Sequence, residues 1–162
     1  QSADHSMVYI VGRMLQKAVE AGGDLPKDND AAWKMLMLLP EDFSEDALFD
    51  EATRALMNKI DFEHGGDDYD SRYPDGIPTS MLIRMIDFGD FNSELIMYPS
   101  GHARNTTADL QSILATKFER MGVLALEEHQ PVIDRMNALP TLDADALKQI
   151  WDFKLKDVGG FS

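Results

Sequence analysis

The stretch 77–121, IPTSMLIRMIDFGDFNSELIMYPSGHARNTTADLQSILATKFERM, constrains the fold more than any other part of the chain. Two apolar runs, 81–86 and 95–98, flank the polar break Asp87-Phe88-Gly89-Asp90. β-Branched and long apolar residues punctuated by Gly and Asp predict a β-hairpin. Pro99 has no N–H to give to a ladder and ends the second strand; Gly101 then lets the backbone turn. A helix follows, with Leu110, Ile113, Leu114, Phe118 and Met121 at helical spacing. Thr106 is its expected N-cap, with Asp109 three residues on as an acidic variant of the capping box. Between strand and helix lies Gly101-His102-Ala103-Arg104-Asn105, where backbone N–H groups and the helix dipole favour an anion.

Whether such a corner can take an anion depends on the charge around it. The chain has 162 residues, 29 acidic against 15 basic, for a net charge of −14. A surface of that sign repels phosphate backbones and anionic membranes, so neither nucleic acid nor membrane is an expected partner. A small anionic substrate requires basic residues gathered locally, which draws interest to His102, Arg104 and Arg72. No apolar run approaches the length of a membrane span. There is no cysteine, hence no disulfide, thiolate ligand or iron–sulfur cluster of the chain's own. A reducing compartment fits, and the cytoplasm, or the mitochondrial matrix in a eukaryote, is expected.

Taken in order, Asp4 or Ser6 caps a first helix that runs to about Ala21, with Met7, Ile10, Val11, Met14, Leu15 and Ala18 as its stripe and Gly22-Gly23 as its stop. His5 sits in its first turn, four residues before Tyr9. A short helix over 31–39 ends at Pro40. The acidic stretch 41–50 reads as a solvated face with a few anchors, Phe43, Leu48 and Phe49. The segment 51–58 is helical, 59–64 alternates as a third strand, and 65–76 is an Asp- and Gly-rich loop whose one strong cation is Arg72. After the hairpin and its helix, 127–139 forms a helix with Pro131 in the first turn. Asp143 caps a last helix using Leu147, Ile150 and Trp151, and Gly159-Gly160 marks a frayed tail. The expected class is α+β: a small antiparallel sheet of about three strands, covered by the helices after Thr106. The N-terminal helix belongs to, or abuts, a helical domain. Expected divisions are 1–56 (helical), 57–125 (α+β, lid-like) and 126–162 (C-terminal helices). The opening Gln1-Ser2-Ala3-Asp4-His5, without an initiator methionine and almost inside a helix, leads to the expectation of a fragment or processed chain.

Two segments carry a family resemblance. ADHSMVYIVGRML near the start resembles a helix of the MmgE/PrpD family. YDSRYPDGIPTS, the hairpin, and YPSGHARNTTADL with a helix running to Lys117-Phe118 resemble that family's C-terminal part. The family includes 2-methylcitrate dehydratase, cis-aconitate decarboxylase and iminodisuccinate epimerase. The resemblance covers nearly the whole chain but only about the last third of a typical member. It implies a homodimeric enzyme with a helical domain and a smaller lid, in which upstream segments or a partner chain supply the remaining active-site residues, so that this chain alone is inactive. It also implies that His5 lines the active site and that His102 belongs to a Gly-His element. A tyrosine that some decarboxylase-type members place at the end of the first lid strand falls at His64 here, a departure that weighs against decarboxylation.

The residues fit acid–base chemistry. Dehydrating a hydroxy acid needs a base for the proton alpha to a carboxylate, an acid for the leaving hydroxyl, and cations for the carboxylates. Histidine serves the first two near neutrality; arginine serves the third through bidentate contacts. The expectation is His5 as catalytic acid or base and His102, Arg104 and Arg72 as substrate-binding residues. The substrate is a small polycarboxylate and the route is free of cofactor and metal. Decarboxylation, epimerisation, or a non-catalytic lid or dimerisation module are the alternatives.

Overall fold

The computed structural model describes residues 2–157. Its chain gathers into two compact units that divide between Leu110 and Gln111. Its class is mixed helix and strand, with a sheet of two strands instead of the expected three.

The first unit opens with α1 (Met7–Glu20), whose N-cap Ser6 accepts the Tyr9 N–H and whose exit passes through Gly22 and Gly23, both at positive φ. α2 (Asn29–Leu36) is capped by Asp28 through the Ala31 N–H. A 3-10 turn at Pro40–Phe43 leads into α3 (Glu45–Leu48), and α4 (Glu51–Met57) is capped by Asp50. α1 and α4 pack closely because Gly12 stands at their crossing. A Cβ there would come 2.9 Å from Met57 Cγ and 3.5 Å from the Thr53 carbonyl oxygen. The buried residues of α1 are therefore Tyr9 and Gly12, whereas Met7 of the expected stripe is exposed.

The acidic stretch 41–50 is also corrected. Asp42 is buried, not solvated. Its carboxylate accepts from Arg13 Nε at 3.0 Å, Lys17 Nζ at 2.9 Å and the Leu39 N–H at 2.9 Å, while its carbonyl accepts from the Tyr9 hydroxyl. Burial alone would raise its pKa, but the Leu39 N–H and the Lys17 and Arg13 charges reverse this and hold the carboxyl below its ordinary range. One carboxylate thus ties α1 to the turn beyond α2.

The segment expected as a third strand, 59–64, runs irregularly after α4. Ile60 is half-buried, but Phe62 and its neighbours are exposed and find no ladder partner among the described residues. Alternation alone cannot make a strand without an edge to pair with. The acidic loop after it contains a helix, α5 (Gly66–Arg72).

The hairpin forms, earlier than expected in its second half. β1 (Leu82–Met85) pairs antiparallel with β2 (Gly89–Asn92), Met85 opposite Gly89 and Ile83 opposite Phe91. Gly89 at φ 77° closes a three-residue loop, a turn geometry that needs a left-handed residue at that point. The run 95–98 contributes a single bridge, Ile96 with Thr79. Apart from half-buried Ile83 the strand residues are exposed, so no helix of the first unit covers the hairpin.

The second unit holds nearly all of α6 (Leu110–Ala125), followed by α7 (Gln130–Asn137), with Pro131 in its first turn, and α8 (Ala144–Lys148), capped by Asp143. Ile113, Val132 and Ile150 are its buried apolar residues. Leu126 bridges to Leu155, and Arg135 donates to the carbonyls of Gln149 and Asp152. Trp151, expected inward, is exposed: the chain turns at Ile150, which takes the core position. The expected tail at Gly159-Gly160 lies outside the described residues. Among the described residues no helix is long and apolar enough to cross a membrane.

Candidate functional site

The strand-to-helix corner is built around Tyr98. Its ring stacks on His102 at 4.8 Å between centroids, and the Arg104 guanidinium lies 5.9 Å from its centre. Arg104 Nη1 makes long contacts to the Tyr98 hydroxyl at 3.4 Å and the Asp75 carbonyl at 3.5 Å. The Tyr98 hydroxyl first, and the Asp75 charge after it, favour the charged guanidinium and push its pKa up.

Asn105, not the expected Thr106, gathers the N–H groups ahead of α6. Its Oδ1 accepts from Thr107 and Ala108, and its Nδ2 donates to the Tyr98 carbonyl at 2.7 Å. A short amide that bonds the backbone two and three residues on makes this turn locally. Asp30 then accepts the Asp109 N–H at 2.9 Å, joining the start of α2 to the end of the corner. The two walls so joined enclose an open cleft of about 690 Å³, with Trp33 and Leu36 from α2 facing Met97, Tyr98 and Arg104.

The tautomers of the two candidate histidines follow from their partners. The Arg104 backbone N–H donates to His102 Nδ1 at 3.0 Å, so the proton of the neutral ring sits on Nε2 and His102 presents a donor. His5 is the reverse. Its Nδ1 lies 2.8 Å from Asp4 Oδ1, and the His5 hydrogen bond holds the Asp4 carboxyl below its ordinary range. An ionised carboxylate only accepts, so Nδ1 of His5 donates to it.

The four expected site residues are not gathered in one place. His102 and Arg104 meet at the Tyr98 ring. His5 stands at the entrance of α1 with its side chain 86% exposed, and it is not among the residues lining the cleft. Arg72 ends α5, exposed and likewise outside the cleft lining; its neighbourhood meets the corner through the Asp75 carbonyl, which Arg104 approaches, and through Gly76, which packs on Met97. His64, the departure noted above, accepts the Gly66 N–H and approaches Asp70 at 3.4 Å. Sequence reasoning passed over Tyr98 and Trp33. An aromatic four residues before a histidine was the available signal for the first; only the fold reveals the second. Among the described residues no group of three or more His, Asp or Glu is placed to hold a metal ion.

Comparison with family models, with curated proteins and with solved structures found no match.

Proposed function

We propose that this chain is part of a cofactor-independent dehydratase acting on a small polycarboxylate such as 2-methylcitrate. The upstream remainder of the enzyme, or a partner chain, completes the site within a homo-oligomer. The observation that carries this reading is the Asp4–His5 pair, in which the carboxylate backs Nδ1 of the ring, the arrangement that orients an imidazole for acid–base work. His102 Nδ1 accepts the Arg104 N–H, so its neutral ring presents a donor at Nε2 to a substrate carboxylate. His5 removes the proton alpha to a carboxylate, Asp4 stabilising the imidazolium that forms, while an acid from the upstream portion or the partner chain protonates the departing hydroxyl so that it leaves as water. His102 and Arg104 take substrate carboxylates, with Arg72 as a further cation. The family resemblance supports the same assignment of His5.

In the full-length protein, His5→Gln lowers turnover by ~10²–10⁴, the value of one positioned acid–base group, with the fold intact. Near-normal turnover removes His5 from the mechanism. Assaying methylcitrate, cis-aconitate and iminodisuccinate in parallel separates dehydration from decarboxylation and epimerisation. A second reading, a non-catalytic lid or dimerisation module, is favoured by the exposed apolar hairpin tip, Ile86 and Phe88. It takes precedence if no substrate of the three turns over once the upstream portion is supplied.

A further inference from the structure

The cleft between α2 and the 96–107 segment has a composition unlike the rest of the molecule. The chain carries 29 acidic residues, yet among the described residues no Asp or Glu lines this cleft, and its one formal charge is the Arg104 guanidinium. The remaining wall is largely apolar and aromatic, from Trp33, Leu36, Ile96 and Met97. Both bonds of Arg104 among the described residues use Nη1, so the rest of the guanidinium fork remains to receive a ligand. A volume of about 690 Å³ lies in the range of small-molecule sites, which pair apolar walls with few convergent polar groups.

We propose that this cleft binds a monocarboxylate with an apolar, ring-sized limb. Arg104 holds the carboxylate and Trp33, Ile96 and Met97 take the limb. A single guanidinium neutralises one carboxylate well, through a charge-assisted and potentially bidentate contact. With no second cation lining this cleft among the described residues, it is matched to a single carboxylate on the ligand. The apolar wall gives a purely polar ligand nothing and rewards a hydrocarbon limb in proportion to the area it buries. Hydrogen bonds between side chains and backbone fix the walls of the cleft: Asn105 with the Tyr98 carbonyl and the Ala108 N–H, and Asp30 with the Asp109 N–H. This inference rests on the cleft alone. Neither histidine takes part, but Arg104 is shared with the dehydratase reading; the turnover of His5→Gln tests that reading, and ligand titrations test this one.

The test uses the whole chain carrying Trp151→Phe, which leaves Trp33 as its one tryptophan. Trp33 fluorescence is titrated with 3-phenylpropanoate, with propanoate (head only), with 3-phenylpropan-1-ol (limb only) and with citrate. Phenylpropanoate gives a saturable change, at least about tenfold tighter than each of the other three, and Arg104→Gln weakens it by at least about tenfold, the scale of one charged hydrogen bond. Far-UV circular dichroism and the melting curve of Arg104→Gln match the parent, because Arg104 is exposed and its contacts are long. Equal affinity for the alcohol shows that the carboxylate is not read. Equal affinity for propanoate or citrate shows that the apolar wall is not used. Either result, or no saturable change with any of the four, overturns the proposal.

Discussion

Replacing Asp42 tests the packing of the first unit at its most charged point. Asp42 is 2% exposed and accepts from two cations and one backbone N–H. Asp42→Ala strands the Leu39 N–H and leaves Arg13 and Lys17, whose side chains are mostly covered, without their shared anion. Removing one partner of a fully buried pair costs about 3–5 kcal/mol. Arg13 keeps Glu20 and Lys17 keeps the Met37 carbonyl, so the lower end applies, about 3 kcal/mol. The Tyr9 bond survives, since it goes to the Asp42 backbone. In urea, with a slope of about 1–2 kcal/mol per molar, the midpoint falls by roughly 2 M. The assay is urea unfolding followed by Trp33 fluorescence in a Trp151→Phe background, which reports on the first unit alone. The pH dependence adds a second readout. The folded pKa of Asp42 is depressed, so its contribution is complete above the unfolded value, about 4, and is lost as pH falls through the folded value. Asp42→Asn removes that component and flattens the acid limb of the stability curve below about pH 4. A loss under about 1 kcal/mol in Asp42→Ala, or an unchanged acid limb in Asp42→Asn, refutes the argument that this carboxylate organises the unit.

Three further outcomes are expected. Gly12→Ala costs about 1–3 kcal/mol, because its Cβ would stand 2.9 Å from Met57 Cγ, close to the α4 backbone, and Gly12→Leu costs more by forcing α1 from α4; a thermal melt of Gly12→Ala equal to that of the parent contradicts the close crossing. Long-range ¹⁵N correlation spectra of neutral His102 show the proton on Nε2, and a proton on Nδ1 would sink the donor assignment. The exposed hairpin drives concentration-dependent self-association in sedimentation velocity, relieved by Ile86→Lys with Phe88→Asp; a sharp, concentration-independent monomer in the parent contradicts it.

The reach of sequence reasoning is clear from which elements it anticipated. Helices whose signals lie within one turn were legible: Ser6, Gly22 and Gly23 bound α1, Pro131 opens α7, and Asp143 caps α8. The hairpin was legible because Gly and Asp punctuate two apolar runs, but its register was not. A left-handed glycine after a three-residue loop fixes pairing, and the same letters permit a later turn. The strand at 59–64 failed since a strand exists only by its partner, and none is present among the described residues.

For the candidate site, residue types alone singled out His102 and Arg104, because imidazole and guanidinium beside a helix entrance suit an anion whatever the fold. Local spacing also sufficed to bring these two together on Tyr98, four and six residues away. Which acidic residue is buried, and which apolar residues stay exposed, could not be read that way. Asp42 lies in a run of acids that differ only in what approaches them, and Arg13 and Lys17 reach it from a helix more than twenty residues earlier. Trp33 becomes a cleft wall only because Asp30 accepts an N–H from a residue 79 positions on. Local free energies of capping and turning are encoded within a few residues, whereas burial is a property of pairs brought together by the whole chain.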